Sequence, residues 1–344
     1  MKNDNYIIPK TKRTYNKPFD PKKLKRDVSW KLDIANKQKL LAKSLLKNRL
    51  SLKACPACKN NKFSLFANIF GYPYNQCLSC GHIFSAKPPK PEYVKKLYTA
   101  LDKKNKAVQS EIYAIEELFK IRVENIAKPK VKFVTKNLAS KGKWVDVGCG
   151  TGEIVYAAQS LGWKALGIES DKCETDFAKK MGINLINTFI TQDNSSDYIS
   201  DAKVISLFNV LEHIINPLEL LKSLSQNAPQ GCNFVIEVPR HPSLSSFANR
   251  AFPEMACRHI YSPDHLHAFT EKSIELILKK SGLTAKHIWL FGQDFYEVAS
   301  SIAALNNIKD DSLFKTILQA ADSIQNEIDK NNLSDCMLII AKKD

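Results

Sequence analysis

The side chains with the clearest chemical capacity are four cysteines in two matched pairs. Cys55 and Cys58 enclose two residues, Cys77 and Cys80 enclose two more, and eighteen residues separate the pairs. Each C-x2-C places two thiolates on one turn, and two such turns complete a tetrahedral Zn(II) shell. With sulfur in all four positions the metal has no open site, so its role would be structural. Redox chemistry needs only one such pair, and neither has thioredoxin-like surroundings. Gly81 allows the tight backbone of a zinc knuckle, and the aromatic-rich spacer supplies the short strands of a ribbon. Cys149, Cys173, Cys232, Cys257 and Cys336 are scattered and read as small core residues.

A second group is "WVDVGCGTGE", Trp144 to Glu153, where an apolar run ends in Gly148, Gly150 and Gly152. Glycines here let the backbone turn sharply and let a ligand approach the main chain. A dinucleotide fingerprint needs a small residue where Glu153 stands, and no Gly-Lys-Ser/Thr follows to make a P-loop. Asp146 and Glu153 would place negative charge where phosphate sits. A positively charged ligand suits the loop better.

S-adenosylmethionine (SAM), with a sulfonium and an ammonium group, is such a ligand. On "DVGCGTG", Asp146 to Gly152, the chain resembles the class I SAM-dependent methyltransferases, whose first motif is acid-x-Gly-x-Gly-x-Gly after the first strand. The resemblance implies that the backbone of Gly148, Cys149, Gly150 and Gly152 passes the methionine part of the cofactor, with Asp146 near its amino end. Glu169 closes the next strand, "ALGIES", seventeen residues beyond Gly152, where the family places an acid for the ribose hydroxyls. "FNVLEHIINP", Phe208 to Pro217, looks like the "LEH…P" signature of a large bacterial methyltransferase group acting mostly on small molecules. That likeness implies that Asn209 and Val210 lie beside the cofactor and its methyl. His213 is either a base or a packing residue at the helix start. The segment is not the Asn-Pro-Pro-aromatic motif of amino-group methylation on nucleobases.

The third group is "CRHIYSPDHLHAFTEKSIELILKKSGL". It is similar to the region of bacterial sugar C-methyltransferases where a Tyr–acid–His cluster precedes a helix ending in Gly-Leu. Tyr261, Asp264, His265 and His267 stand at or near those positions. His259, His265 and His267, three of the seven histidines, crowd into nine residues expected to form a polar loop at the carboxyl edge of the sheet. Such edges bind substrate, and histidine is suited to proton removal near neutral pH. The expected general base is His265, oriented by Asp264 or Tyr261, with His241 in reserve. The relatives carry a His-acid-His triplet, whereas this chain has Ser262-Pro263-Asp264-His265. Polar helix-capping residues in a lid are the alternative.

These groups need a scaffold. "KWVDVGC", "KALGIES", "NLINTFI", "KVISLFNV", "NFVIEVP", "AKHIWLFG" and "CMLIIAKK" read as strands, and helices fall at 152–161, 171–181, 217–228, about 271–281 and across 293–331. The pattern predicts an α/β fold, a doubly wound Rossmann-like methyltransferase sheet preceded by a small four-cysteine zinc ribbon. The expected domains are a basic extension over 1–53, the ribbon over 54–90, a helical linker over 91–138 broken near Pro129, and the methyltransferase domain over 139–344. Within the extension, residues 1–28 have little prospect of a core, while Trp30, Ile34, Leu41 and Leu45 recur at helical spacing up to Leu50.

Of the formal net charge of +16, residues 1–53 carry sixteen Lys/Arg and four Asp/Glu, a net of +12, leaving +4 for the rest. This segment is either a solvated arm or a holder of anionic substrate, membrane surface or RNA. No apolar run reaches the ~20 residues of a membrane span, and the first residues lack a signal-peptide core, which points to the cytoplasm. The expected activity is SAM-dependent methyl transfer to a small acceptor, such as a nucleotide-linked sugar or a surface-polysaccharide or natural-product intermediate. An RNA methyltransferase using the basic arm and ribbon, and a SAM-binding protein without turnover, are the alternatives.

Overall fold

The computed structural model describes residues 8–99, 114–308 and 312–344. Parts of three expected elements lie outside these residues: 1–7 of the extension, 100–113 of the linker and 309–311 of the last helical run.

The amphipathic pattern expected over Trp30 to Leu50 is a helix from Val28 to Ser44. Asp27 caps it, its carboxylate accepting from the Trp30 amide at 2.7 Å. Its buried stripe is built on Val28, Ile34, Ala35, Leu41 and Ala42. Two polar residues share the stripe, Lys31 and Gln38. Lys31 Nζ lies 2.7 Å from Glu297 Oε1, so its charge enters the interior paired. Ile8 and Leu24 are also buried, and strand β1 (Lys12–Tyr15) joins a sheet. Residues 8–50 are thus fastened to the protein and do not form the solvated arm their charge suggests.

A four-stranded antiparallel sheet follows, from β2 (Phe63–Ile69), β3 (Tyr72–Cys77), β4 (Ile83–Ser85) and β10 (His267–Ala268), in the order β10-β4-β3-β2. Phe70 and Gly71 turn the β2–β3 hairpin with φ of +53° and +86°, the doubly left-handed geometry of a two-residue turn. Strand β10 differs from the expected loop. His267 pairs with Phe84 and Ala268 with Ile83, because the ribbon's β4 offers a free edge to a segment remote in sequence.

Pro129 does not break the helical path. Helix Glu116–Arg122, a π-helical turn Val123–Ala127 and helix Lys128–Lys136 follow without a gap. Pro129 follows directly on the π-helical turn, where the Lys128 amide bonds the Val123 carbonyl five residues back, and this wider winding accommodates a residue with no N–H to donate.

The remaining strands are β5 (Lys143–Val147), β6 (Lys164–Glu169), β7 (Leu185–Asn187), β8 (Val204–Phe208), β9 (Asn233–Pro239), β11 (Leu283–Phe291) and β12 (Cys336–Lys343). The sheet order is β1-β11-β12-β9-β8-β5-β6-β7. Pairings β5–β6, β5–β8, β6–β7 and β8–β9 are parallel. From β5 the chain adds β6 and β7 on one side and then β8 and β9 on the other, so the loop leaving β5 opens at a topological switch point.

Packing divides the chain into two compact units. The first comprises Met1–Val94, Val238–Leu276 and Ile288–Leu338, the second Lys95–Glu237, Ile277–His287 and Ile339–Asp344. Among the described residues no helix is long and apolar enough to cross a membrane.

Candidate active site and cysteine cluster

In the second unit, Gly148, Gly150 and Gly152 take φ of +67°, +56° and +87° as the chain leaves β5. A Cβ on Gly148 would lie 2.8 Å from Val210 Cγ2, so the end of β8 packs directly on the loop backbone. The amides of Gly148 and Cys149 donate to the Ile168 carbonyl at 2.8 and 3.2 Å. The next residue, Glu169, accepts from the Gly150 amide at 2.9 Å and the Asp171 amide at 2.8 Å. Burial pushes the Glu169 carboxyl up, and these backbone donors oppose the shift.

The two acids expected to charge the loop do something else. Asp146 turns into the core and accepts from the Ser206 hydroxyl, which itself accepts from Trp144 Nε1 at 2.7 Å. Burial lifts Asp146 to about 7 against the pull of Ser206 and Lys130. Glu153 is ion-paired, with Arg122 Nε 2.6 Å from its Oε1 and the Thr151 hydroxyl donating to the same oxygen at 2.7 Å. Arg122 and Thr151 therefore satisfy Glu153. Two other carboxylates stand close to Gly150: Glu169 accepts from its amide, and Glu174 Oε2 would sit 3.6 Å from a Cβ placed there.

At the end of β8, Asn209 adopts a left-handed φ of +55° and its side-chain amide donates to Glu237 Oε1 at 3.2 Å. Lys130 Nζ is 2.7 Å from the same carboxylate, and both partners are buried. Glu212 is fully buried, which pushes its carboxyl well above the ordinary range. His213 ends a short 3-10 turn, and its Nδ1 lies 2.7 Å from the Tyr98 hydroxyl. Nothing in the sequence signalled Lys130, Arg122 or Tyr98.

The first unit holds the histidine segment. Tyr261 and His265 face each other across a tight turn, with rings stacked 4.3 Å apart. His265 Nδ1 lies 3.2 Å from the His259 carbonyl oxygen. Asp264 is buried, receives Gln38 Nε2 at 3.3 Å, and is lifted to about 7 by burial. His259 Nε2 lies 2.9 Å from buried Asp335 Oδ2. His267 belongs to the core, its Nδ1 3.1 Å from His82 Nε2. His241 is enclosed: Nδ1 meets Ser246 Oγ at 2.9 Å, Nε2 meets Gln76 Nε2 at 3.1 Å, and burial beside Arg240 lowers it to about 4.

The four cysteines converge in the same unit. Cys55 and Cys80 Sγ are 3.7 Å apart, Cys58 and Cys77 Sγ 3.5 Å, and all four lie within 4.8 Å of one another. Sulfurs at 2.3 Å around tetrahedral Zn(II) are separated by about 3.8 Å, so the set fits that ion. The two knuckles match. The Lys59 amide bonds the Cys55 carbonyl at 2.9 Å and the Gly81 amide the Cys77 carbonyl at 2.8 Å, with φ of +67° and +72° at Lys59 and Gly81.

Asp146, Gly148, Cys149, Gly150, Gly152, Glu169, Asn209 and Val210 thus gather around the ends of β5, β6 and β8 in the second unit. Tyr261, Asp264, His265, His241 and the cysteines belong to the first.

Residues 119–288 match the family model described as a methyltransferase domain. No curated protein matches the chain. Among solved structures, a SAM-dependent methyltransferase from Archaeoglobus fulgidus is 19% identical, with 66% of this chain and 97% of that one covered and a TM-score of 0.43. The plantazolicin methyltransferase BamL, solved with SAH and a triazolic desmethylPZN analog, is 18% identical over 73% and 97% of the chains, with a TM-score of 0.45. Mycolic acid cyclopropane synthase CmaA1 is 11% identical over 73% and 94%, with a TM-score of 0.44.

Proposed function

Residues 119–288 match a methyltransferase domain, and from that premise we propose that the chain is a class I SAM-dependent enzyme that transfers the sulfonium methyl of SAM to a small-molecule acceptor. One observation carries the reading: the acid-x-Gly-x-Gly-x-Gly loop leaves β5 at the switch point with all three glycines left-handed, and Glu169 reaches its backbone from β6. SAM, when bound, supplies an electrophilic methyl on a cationic sulfur. The loop from Gly148 to Gly152 would line its methionine part, Glu169 would take the ribose hydroxyls, and Asn209 and Val210 would flank the methyl. His265 would remove the acceptor's proton. A carbonyl only accepts, so Nδ1 carries the hydrogen toward His259 and Nε2 is the basic nitrogen.

On this reading residues 54–90 hold one structural Zn(II), 91–138 connect, and 139–344 are the transferase domain. A four-cysteine zinc site and unpaired buried thiols suit a reducing compartment such as the cytoplasm. The +12 charge of residues 1–53 favours an anionic acceptor, with a sugar nucleotide or a polysaccharide or natural-product intermediate as the first class to try. The same charge favours RNA as a second reading. RNA binding would fall steeply with salt in proportion to the phosphates neutralised, while a small acceptor would show a shallow dependence.

Calorimetric titration with SAM and with its demethylated product tests the cofactor assignment. Glu169→Gln is expected to weaken SAM about tenfold to a hundredfold, the worth of a hydrogen bond to a charged group. Wild-type affinity in that variant would remove Glu169 from the site, and no binding in folded wild-type protein would end the transferase reading. Once an acceptor is turned over, His265→Ala is expected to lower kcat about 100- to 10,000-fold with SAM affinity unchanged.

A further inference from the structure

The turn bearing His265 is held by side chains from two distant segments. The His265 amide donates to the Tyr261 carbonyl at 2.9 Å, closing the turn on itself. From β3 of the ribbon, the Tyr74 hydroxyl lies 2.6 Å from both Ser262 Oγ and the His265 carbonyl oxygen. The carbonyl can only accept, so Tyr74 donates to His265 and accepts from Ser262. From helix Val28–Ser44, Gln38 Nε2 donates to the Ser262 carbonyl at 3.1 Å and to Asp264 Oδ2 at 3.3 Å. Gln38, Tyr74 and Ser262 are 0% exposed. In so dry a setting a lost partner leaves a buried polar atom that water cannot satisfy.

We infer that the ribbon and the N-terminal helix together form the positioning frame for His265. Tyr74 and Gln38 fix the Ser262–His265 turn in the register that brings His265 Nδ1 to the His259 carbonyl, and so set its tautomer. Both are positioning residues, acting through the turn and not on substrate. The functional consequence rests on the reading of His265 as the base, whereas the geometry does not. The inference gives the two N-terminal elements a shared task, and it links the cysteine cluster to the turn, since Tyr74 and Cys77 lie on one strand.

The full-length protein labelled with nitrogen-15 histidine tests this through two-bond proton–nitrogen spectra, with the His265 signals assigned by their loss in His265→Ala. The expected result is His265 with hydrogen on Nδ1 in the wild type. Tyr74→Phe and Gln38→Leu should each shift it toward the Nε2–H form and lower kcat about tenfold to a hundredfold, the usual consequence of a misplaced catalytic group. SAM affinity and the melting transition, measured in parallel, should stay near wild type for Tyr74→Phe, which keeps the ring. The inference is overturned by an Nε2–H His265 in the wild type, or by an unchanged tautomer in the folded Tyr74→Phe protein. If His265→Ala keeps full turnover, the base assignment fails while the tautomer spectra still decide the frame.

Discussion

Stripping the metal from the cysteine cluster, by chelation or by Cys77→Ser, is expected to abolish methyl transfer while SAM still binds near its wild-type affinity. Structural zinc contributes about 10–16 kcal/mol of binding free energy that the fold of its module depends on. Cys77 is the last residue of β3, and Tyr74 and Gln76 on that strand contact the His265 turn and His241. Loss of the metal therefore releases β3 and the turn. The cofactor residues rest on the parallel pairings of β5, β6 and β8 in the other unit. Zinc analysis, SAM calorimetry and turnover on the same sample check the separation. Full turnover in zinc-free protein would cut the proposed link from cysteines to turn.

The second large effect is on stability. Lys130→Met should lower the free energy of unfolding by about 3–5 kcal/mol, the cost of leaving the other half of a buried ion pair alone. Lys130 faces Glu237 at 2.7 Å, and its charge also lowers Asp146 and Glu212. Without it Glu237 loses its ion-pair partner, and Asp146 and Glu212 lose the cation that opposes their burial. The folded pKa values of Asp146 and Glu212, already raised by burial, then rise further above the unfolded ones, so the deficit should be small at low pH and grow as pH rises from 5 to 8. Adding Glu237→Gln should restore much of the loss. Urea unfolding of the single and double variants reads both, and a pH-independent deficit below ~1 kcal/mol would show that Lys130 does not carry this charge balance.

Local patterns made the central sheet legible. "NFVIEVP" and "CMLIIAKK" coincide with β9 and β12 because buried strands are short apolar runs that side-chain type alone announces. The glycine loop and the paired cysteines were legible for the same reason, since their geometry is imposed within a few residues. What escaped depends on partners far along the chain. Ser206, sixty residues on, draws the Asp146 carboxyl into the core, and Arg122, thirty-one residues back, takes up Glu153. Gln38 meets Asp264 across 226 residues. His267 looked like loop because its strand is two residues long and exists only against β4.

Strand β1 carries one further consequence. β11 would otherwise end the sheet with a row of N–H and C=O groups free to pair with another molecule. β1 covers that border, and the Asn16 amide extends the cover by bonding the Leu290 carbonyl at 3.0 Å. The new outermost strand is only four residues long, and Lys12 and Arg13 lie within it. Short length and like charge are how natural sheets discourage stacking strand on strand. Arg13 pairs with buried Glu271, so the exposed charge on this border is Lys12, which suits a guard against self-association and requires no nucleic acid and no anionic substrate.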